Sequence, residues 1–151
     1  MKKIIAMLLA LVMVLSLAAC ASTQPAAEPA ASSDAPAESG KTYTVGVCQL
    51  VQHEALDAAT QGFIDALNEA LPGQVKFEEK NASGDSNSCA TIVNGFVSEG
   101  VDLIMANATP ALQAAASATS EIPILGTSVT DYASALEIEG WTGTVGGNIS
   151  G

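Results

Sequence analysis

The chain has 151 residues and a formal net charge of −11 at pH 7, with sixteen carboxylates against five lysines and no arginine. Neutralising phosphates takes clustered Lys or Arg, so this balance argues against nucleic acid as a partner, and an anionic lipid surface repels such a domain. A single histidine argues against a metal centre of clustered imidazoles and carboxylates.

In chain order, the first element is a targeting segment. Lys2 and Lys3 precede an apolar run, Ile4–Ala19, with Ser16 near its end, which is short for a bilayer-spanning helix and, with the lysines, has the n-region and h-region of a secretory signal. It ends "LSLAAC". A Leu, two small residues and a Cys form a bacterial lipobox, in which Cys20 becomes the first mature residue and carries the lipid. The alternative is an ordinary signal peptide with a chance Cys. Residues 21–41, rich in Ala, Pro, Ser and acid, hold no aromatic and no β-branched apolar residue. They cannot bury enough surface to offset chain entropy, and Pro25, Pro29 and Pro36 keep them extended, so 20–41 reads as a lipidated tether.

About 110 residues remain, 42–151, enough for one ordinary domain. Residues 43–51 alternate as a strand. Over 55–71, Leu56, Ala59, Phe63, Ala66, Leu67 and Ala70 recur at helical spacing, and Pro72-Gly73 stops the helix. Residues 74–81 alternate again, with Val75 and Phe77 inward. Ser86 or Asn87 is the expected N-cap of a helix over 89–100 that ends at Gly100. Residues 101–107 form a buried strand, and a helix follows with Thr109 at its N-cap and Pro110 in its first turn. "IPILGTSV" is a further buried strand, and "WTGTVGGNISG" holds one more short one.

This alternation predicts an α/β fold, an open parallel sheet with helices on both faces. Such sheets bind ligands at the carboxyl ends of their strands. The loop with His53, "NASGD" (Asn81–Asp85), "NATP" before the third helix and "TSVTD" (Thr127–Asp131) all fall on that edge. Each also has a plainer role: His53 as a solvated loop residue, Thr109 as a cap, Asp85 and Asp131 as turn formers. The domain's two cysteines, Cys48 and Cys89, either pair or, as the more common state of small buried residues, remain thiols.

"VGVCQLVQHEALDAATQGFIDAL", "NASGDSNSCATIVNGFVSEGVDLIMANATPALQAAASAT" and "IPILGTSVTDYASA", in that order, resemble bacterial solute-binding lipoproteins of ABC transporters of the tryptophan/tyrosine type. The resemblance covers nearly all of 42–151. It implies lobe 1 of a type I periplasmic binding protein, no enzymatic activity and no cofactor. It also implies a small-molecule ligand such as a free amino acid, an ABC permease and ATPase as partners, and a lipid anchor on the extracytoplasmic face. Tyr132 departs from the family pattern, which has Pro after "VTD". The family has a second lobe, so the sequence reads as a chain holding the signal, the tether and most of lobe 1, with the second lobe missing.

A binding protein needs concavity and a few placed polar groups. The ligand carboxylate suits the helix start at Thr109, Pro110 and Ala111, where free N–H groups and the helix dipole point, since no Arg is present to clamp it. The ammonium suits Asp131, the carbonyls near Ser128 and Val129, or an acid of the second lobe. An aromatic side chain, tryptophan first, suits Gln49, His53 and Leu56. Asn81 and Asp85 complete the expected lining, with no metal. Three rivals remain open: a binding protein for a sugar or nucleoside, a receptor lobe coupled to signalling, and a Rossmann-type enzyme. The last lacks G-x-G-x-x-G after the first strand, a P-loop and a nucleophile elbow.

Overall fold

A computed structural model describes residues 40–151. The signal segment, Cys20 and nearly all of the tether lie outside the described residues. Five strands and four helices alternate: β1 (Tyr43–Gln49), α1 (Glu54–Ala70), β2 (Val75–Asn81), α2 (Ser86–Glu99), β3 (Leu103–Asn107), α3 (Thr109–Ala118), β4 (Ile124–Thr127), α4 (Tyr132–Ala135) and β5 (Ile149–Ser150). The strands form one sheet in the order β2-β1-β3-β4-β5, and every adjacent pair is parallel. No helix among the described residues is long and apolar enough to cross a membrane.

The period-2 geometry of β1 sorts its residues between two cores. Val45 and Val47 face α1 and pack with Met105, Phe63, Leu67 and Phe77. Cys48 faces the other way, into a larger core with Cys89, Val93 and Phe96 of α2, Ile104 and Ala106 of β3, Leu112 and Ala115 of α3, and Ile124 of β4. Helices therefore cover both faces, α1 on one and α2 with α3 on the other. This is the open parallel α/β sheet that the alternation predicts.

Element edges depart from the sequence reading in ways set by capping. Helix α2 begins three residues early, and its N-cap is Asp85, neither Ser86 nor Asn87. The Asp85 carboxylate accepts from the Asn87 N–H (3.2 Å), the Ser88 N–H (3.0 Å) and the Ser88 hydroxyl (2.8 Å), which a neutral side chain matches less well at a positive helix end. Gly100, with φ 69°, closes the helix in the left-handed region. Helix α3 is capped by Ala108, with Thr109 its first helical residue. The most buried positions of α1 are Thr60 and Ile64, while Ala66 and Ala70 are exposed. Tyr132 is the first residue of α4 after its cap Asp131, the position where Pro is favoured, so the departure from the family pattern leaves the short helix intact.

One glycine is fixed by close approach. A Cβ on Gly46 would lie 2.6 Å from the ring of Phe96, itself 2% exposed. Gly46→Ala is expected to cost about 1–3 kcal/mol by overpacking, read as a lower urea midpoint at unchanged slope. Adding Phe96→Leu should recover part of that loss, and a strictly additive double variant would remove Phe96 as the cause.

The Asp85 cap also generates a pH dependence. The Ser88 hydroxyl, helped by the Asn87 and Ser88 N–H groups, holds this carboxyl below its ordinary value of 3.8. A depressed folded value means stability that is complete above the unfolded value and lost as pH falls through the folded one. The thermal midpoint of the native chain should exceed that of Asp85→Asn at about pH 7, and the gap should narrow on acidification to about pH 3. A gap that widens on acidification would contradict the assignment.

Candidate functional site

The carboxyl ends of β1 and β3 are adjacent, and Gln49 and Asn107 are register partners there. From this pair the chain leaves in opposite directions, β1 into α1 on one face and β3 into α3 on the other. That is the switch point where open α/β sheets form a crevice.

Beneath the crevice the two amides share a buried network with α1. The Thr60 hydroxyl donates to Gln49 Oε1 (2.7 Å) and accepts from Asn107 Nδ2 (2.9 Å). Asn107 Nδ2 also donates to the Leu56 carbonyl (2.8 Å). Gln49 Nε2 donates to Asp57 Oδ1 (2.6 Å) and to the Val51 carbonyl (2.9 Å). Asn107 Oδ1 is buried and has no hydrogen-bond partner among the described residues. Gln49, Thr60 and Asn107 are the buried polar residues of the described chain, and they fix α1 and the 50–53 loop to the strand ends.

An open cleft of about 760 Å³ lies beside this network, between α1 and the outer strand β2. Val47, Gln49 and Thr60 form its floor, Val51, Gln52, Asp57 and Gln61 one side, and Glu79, Lys80, Asn81 and Ser83 the other. Its size suits a small molecule. Of the residues expected from sequence, it gathers Gln49 and Asn81. Both are engaged internally, Gln49 as above and Asn81 by accepting from the Ser83 N–H (2.9 Å).

The other expected residues follow the same strand edge outside this cleft. His53 is exposed and caps α1, its Nδ1 accepting from the Ala55 N–H (3.2 Å). Leu56 is half-buried. Asp85 caps α2, and Asp131 caps α4, accepting from the Ala133 N–H (3.0 Å) and the Ser134 hydroxyl (2.6 Å). Ser128 is exposed with φ 55°, and Val129 packs on the larger core. Pro110 faces a separate groove between α2 and α3. Thr109 is half-buried at the start of α3, where Ala108 (φ 92°, ψ 157°) offers no side-chain cap. The Ala108 N–H donates to the Thr127 carbonyl (2.9 Å), which ties the loops after β3 and β4 together.

Among these four helices, α1, α2 and α4 are capped by their own side chains and α3 is not. An uncapped helix start presents N–H donors to an anion. Sequence reasoning missed Asp57, Thr60, Lys80 and Asn107. The signal for Asn107 was legible: an amide ends an apolar strand, as Gln49 ends β1. Among the described residues no group of His, Cys, Asp and Glu is arranged to hold a metal.

The profile described as ABC transporter substrate binding protein matches residues 44–151. A tyrosine-binding protein of Clostridioides difficile (strain R20291) is 40% identical over 117 residues, which is 76% of this chain and 34% of that protein. An open, ligand-free substrate-binding protein with adhesive properties from Clostridium difficile superposes with a TM-score of 0.67 at 37% identity, covering 72% of this chain and 38% of that one. An ABC domain in complex with L-Trp from Streptococcus pneumonia gives a TM-score of 0.66 at 35% identity over 73% and 38%. The chain thus spans under two fifths of the length of each of these relatives. They are binding proteins, not enzymes, and part of each of the two solved structures shares the fold described above. The chain belongs to the ABC transporter substrate-binding protein family.

Proposed function

We propose that the chain forms one wall of an interlobe cleft that captures a free aromatic amino acid, tryptophan first, and delivers it to an ABC permease and its ATPase. Cys20 carries the lipid that holds the protein on the extracytoplasmic face of the membrane. The observation that carries the ligand reading is the start of α3. It is the one helix N-terminus on the ligand edge left without its own cap among the described residues, and it suits an amino acid's carboxylate. The tyrosine-binding relative and the relative complexed with L-Trp support the aromatic class. We assign the ring to His53 and the 50–53 loop, and the ammonium to the carbonyls near Ser128, to Asp131 or to the second lobe.

Calorimetry on the two-lobed protein that carries this lobe, with tryptophan, tyrosine, leucine, ribose and adenosine, tests the reading. Tight binding of ribose or adenosine with no response to any amino acid would replace it. Thr109→Asp separates ligand binding from folding. A carboxylate in the first turn favours the helix and repels the ligand's carboxylate. Thermal stability should hold while every amino acid loses roughly ten- to a hundredfold in affinity, the scale of one charge-assisted hydrogen bond. His53→Asn keeps a capping side chain, so it should change the ranking among side chains more than the common affinity. An unchanged ranking would make His53 a cap alone.

The anchor is tested on processing. Globomycin, or Cys20→Ala, should leave an unprocessed precursor. Normal maturation and membrane association under both conditions would end the lipoprotein reading.

A further inference from the structure

We infer that Asn107 is a positioning residue for the ligand, a joint that holds the two halves of the proposed site at a fixed separation without touching what binds there. The inference rests on the reading above, in which the ring is assigned to the 50–53 loop and the carboxylate to the start of α3. Asn107 is attached to both. Its carbonyl accepts from the Leu50 N–H (3.2 Å), and its Nδ2 donates to the Leu56 carbonyl (2.8 Å) and the Thr60 hydroxyl (2.9 Å), so it holds the 50–53 loop from either end. The next residue, Ala108, is the cap position of α3, and its N–H is tied to the Thr127 carbonyl (2.9 Å). Asn107 is fully buried, so a ligand meets the loops that it holds and not the amide itself.

The amide has one allowed orientation. The Leu56 carbonyl can only accept, and the single proton of the Thr60 hydroxyl goes to Gln49 Oε1 (2.7 Å), so both neighbours require the NH2 side. A flipped amide would set Oδ1 against two oxygens that have no proton for it. The orientation leaves Oδ1 buried and without a hydrogen-bond partner among the described residues. Thr127, its register partner on β4, does not donate to it. Neither neighbour depends on Asn107 for its own pairing. The Leu56 carbonyl receives the Thr60 N–H within α1, and the Thr60 hydroxyl has Gln49. The residue thus leaves a buried acceptor unpaired in order to make bonds that its partners do not require. Such an orphan calls for a reason other than stability. Ile104, Met105 and Ala106, just before it, are buried and apolar, and an apolar residue at 107 would end the strand with no orphan. What the amide alone supplies is a cross-link from β3 to the first two turns of α1, one residue away from the start of the α3 site.

The test is calorimetry on the two-lobed protein that carries this lobe, with tryptophan, tyrosine, leucine, ribose and adenosine, at a temperature where melting curves show each variant fully folded. Asn107→Leu keeps the size of the side chain and removes the amide. It should weaken binding by roughly tenfold, the scale of one hydrogen bond, and by the same factor for every ligand that the native protein takes. Hydrogen exchange of the ligand-free variant should quicken at residues 50–57 and 108–112 and stay native in the α2 core. Thr60→Val removes one bond from the other side and should give the same uniform loss, and Thr60→Ser, which keeps the hydroxyl, should recover most of it. Unchanged affinity in folded Asn107→Leu would make the residue structural only and overturn the proposal. A loss for one bound ligand and none for another would overturn it too, since the amide would then be reading the ligand directly. Exchange that quickens everywhere or nowhere has the same force. A native protein that binds ribose or adenosine and no amino acid replaces the amino-acid reading, while the Asn107 comparison is still decided on the ligand it takes; one that binds none of the five overturns both. If Asn107→Leu does not fold, the Thr60→Val and Thr60→Ser pair decides.

Discussion

The hydroxyl of Thr60 lies between two side-chain amides, Gln49 and Asn107, at the point where β1 and β3 end. The placement of the first turns of α1 and of the 50–53 loop on the strand ends depends on this contact and its neighbours. It sits under the switch of the sheet, where apolar packing gives way to loops that must face a ligand. Hydrocarbon would bury equally well there, but it would hold neither the helix register nor the loop path. The network holds both, because each bond runs to a different element: Leu56 and Asp57 in the first turn of α1, Val51 in the loop, and the two strands. A neutral hydrogen bond contributes about 0.5–1.5 kcal/mol net, and a buried partner left unsatisfied costs about 1–3. The network therefore specifies placement more than it adds stability, and removing one member costs more than its own bond.

The same economy explains how the helix starts differ. A helix that begins on a ligand edge exposes N–H groups that must be satisfied. Three of the four are satisfied from within, by His53, Asp85 and Asp131. In α3 the cap position is Ala108, held at φ 92° by the tie between its N–H and the Thr127 carbonyl. That conformation is unfavourable for a residue with a Cβ. Strain at a helix start that also lacks a capping oxygen fits a place kept for a ligand, in keeping with the proposed carboxylate site.

The fold was legible in the sequence because its strongest signals are local and repeated. Apolar runs of strand length alternate with amphipathic runs that end at Pro72-Gly73 or Gly100, and parallel order follows from the alternation. The strand edge as the place of the expected site residues was legible for the same reason. What escaped was decided by three-dimensional competition. Ser86, Asn87 and Asp85 are all competent caps in isolation, and only the turn at Ala82–Asp85 delivers Asp85 to the free N–H groups. Thr60 reads as a neutral helix residue until Gln49 and Asn107 are brought to it from positions 11 and 47 residues away. A periodic reading of α1 favoured Ala66 and Ala70, but the helix buries Thr60 and Ile64, and those alanines face solvent. The cleft under β2 lay beyond periodicity altogether, since it is shaped by the gap that α1 leaves over an outer strand.

Electrostatics narrows what such an edge could admit. After residue 40 the chain carries thirteen carboxylates against three lysines, and two of those lysines are held in ion pairs, Lys41 with Asp102 and Lys76 with Glu78. Lys80, on the rim of the cleft, is in no ion pair among the described residues. A strongly negative domain slows the approach of an anion and disfavours its binding by long-range repulsion. A zwitterion escapes that penalty, because its net charge is zero while its two ends remain strong hydrogen-bonding groups. Its carboxylate needs only short-range donors, which backbone N–H groups at a helix start supply without any arginine. Its ammonium is welcome anywhere along an acidic rim. The charge of the whole domain and the missing cap of one helix thus favour the same chemical class, although neither was built from the other.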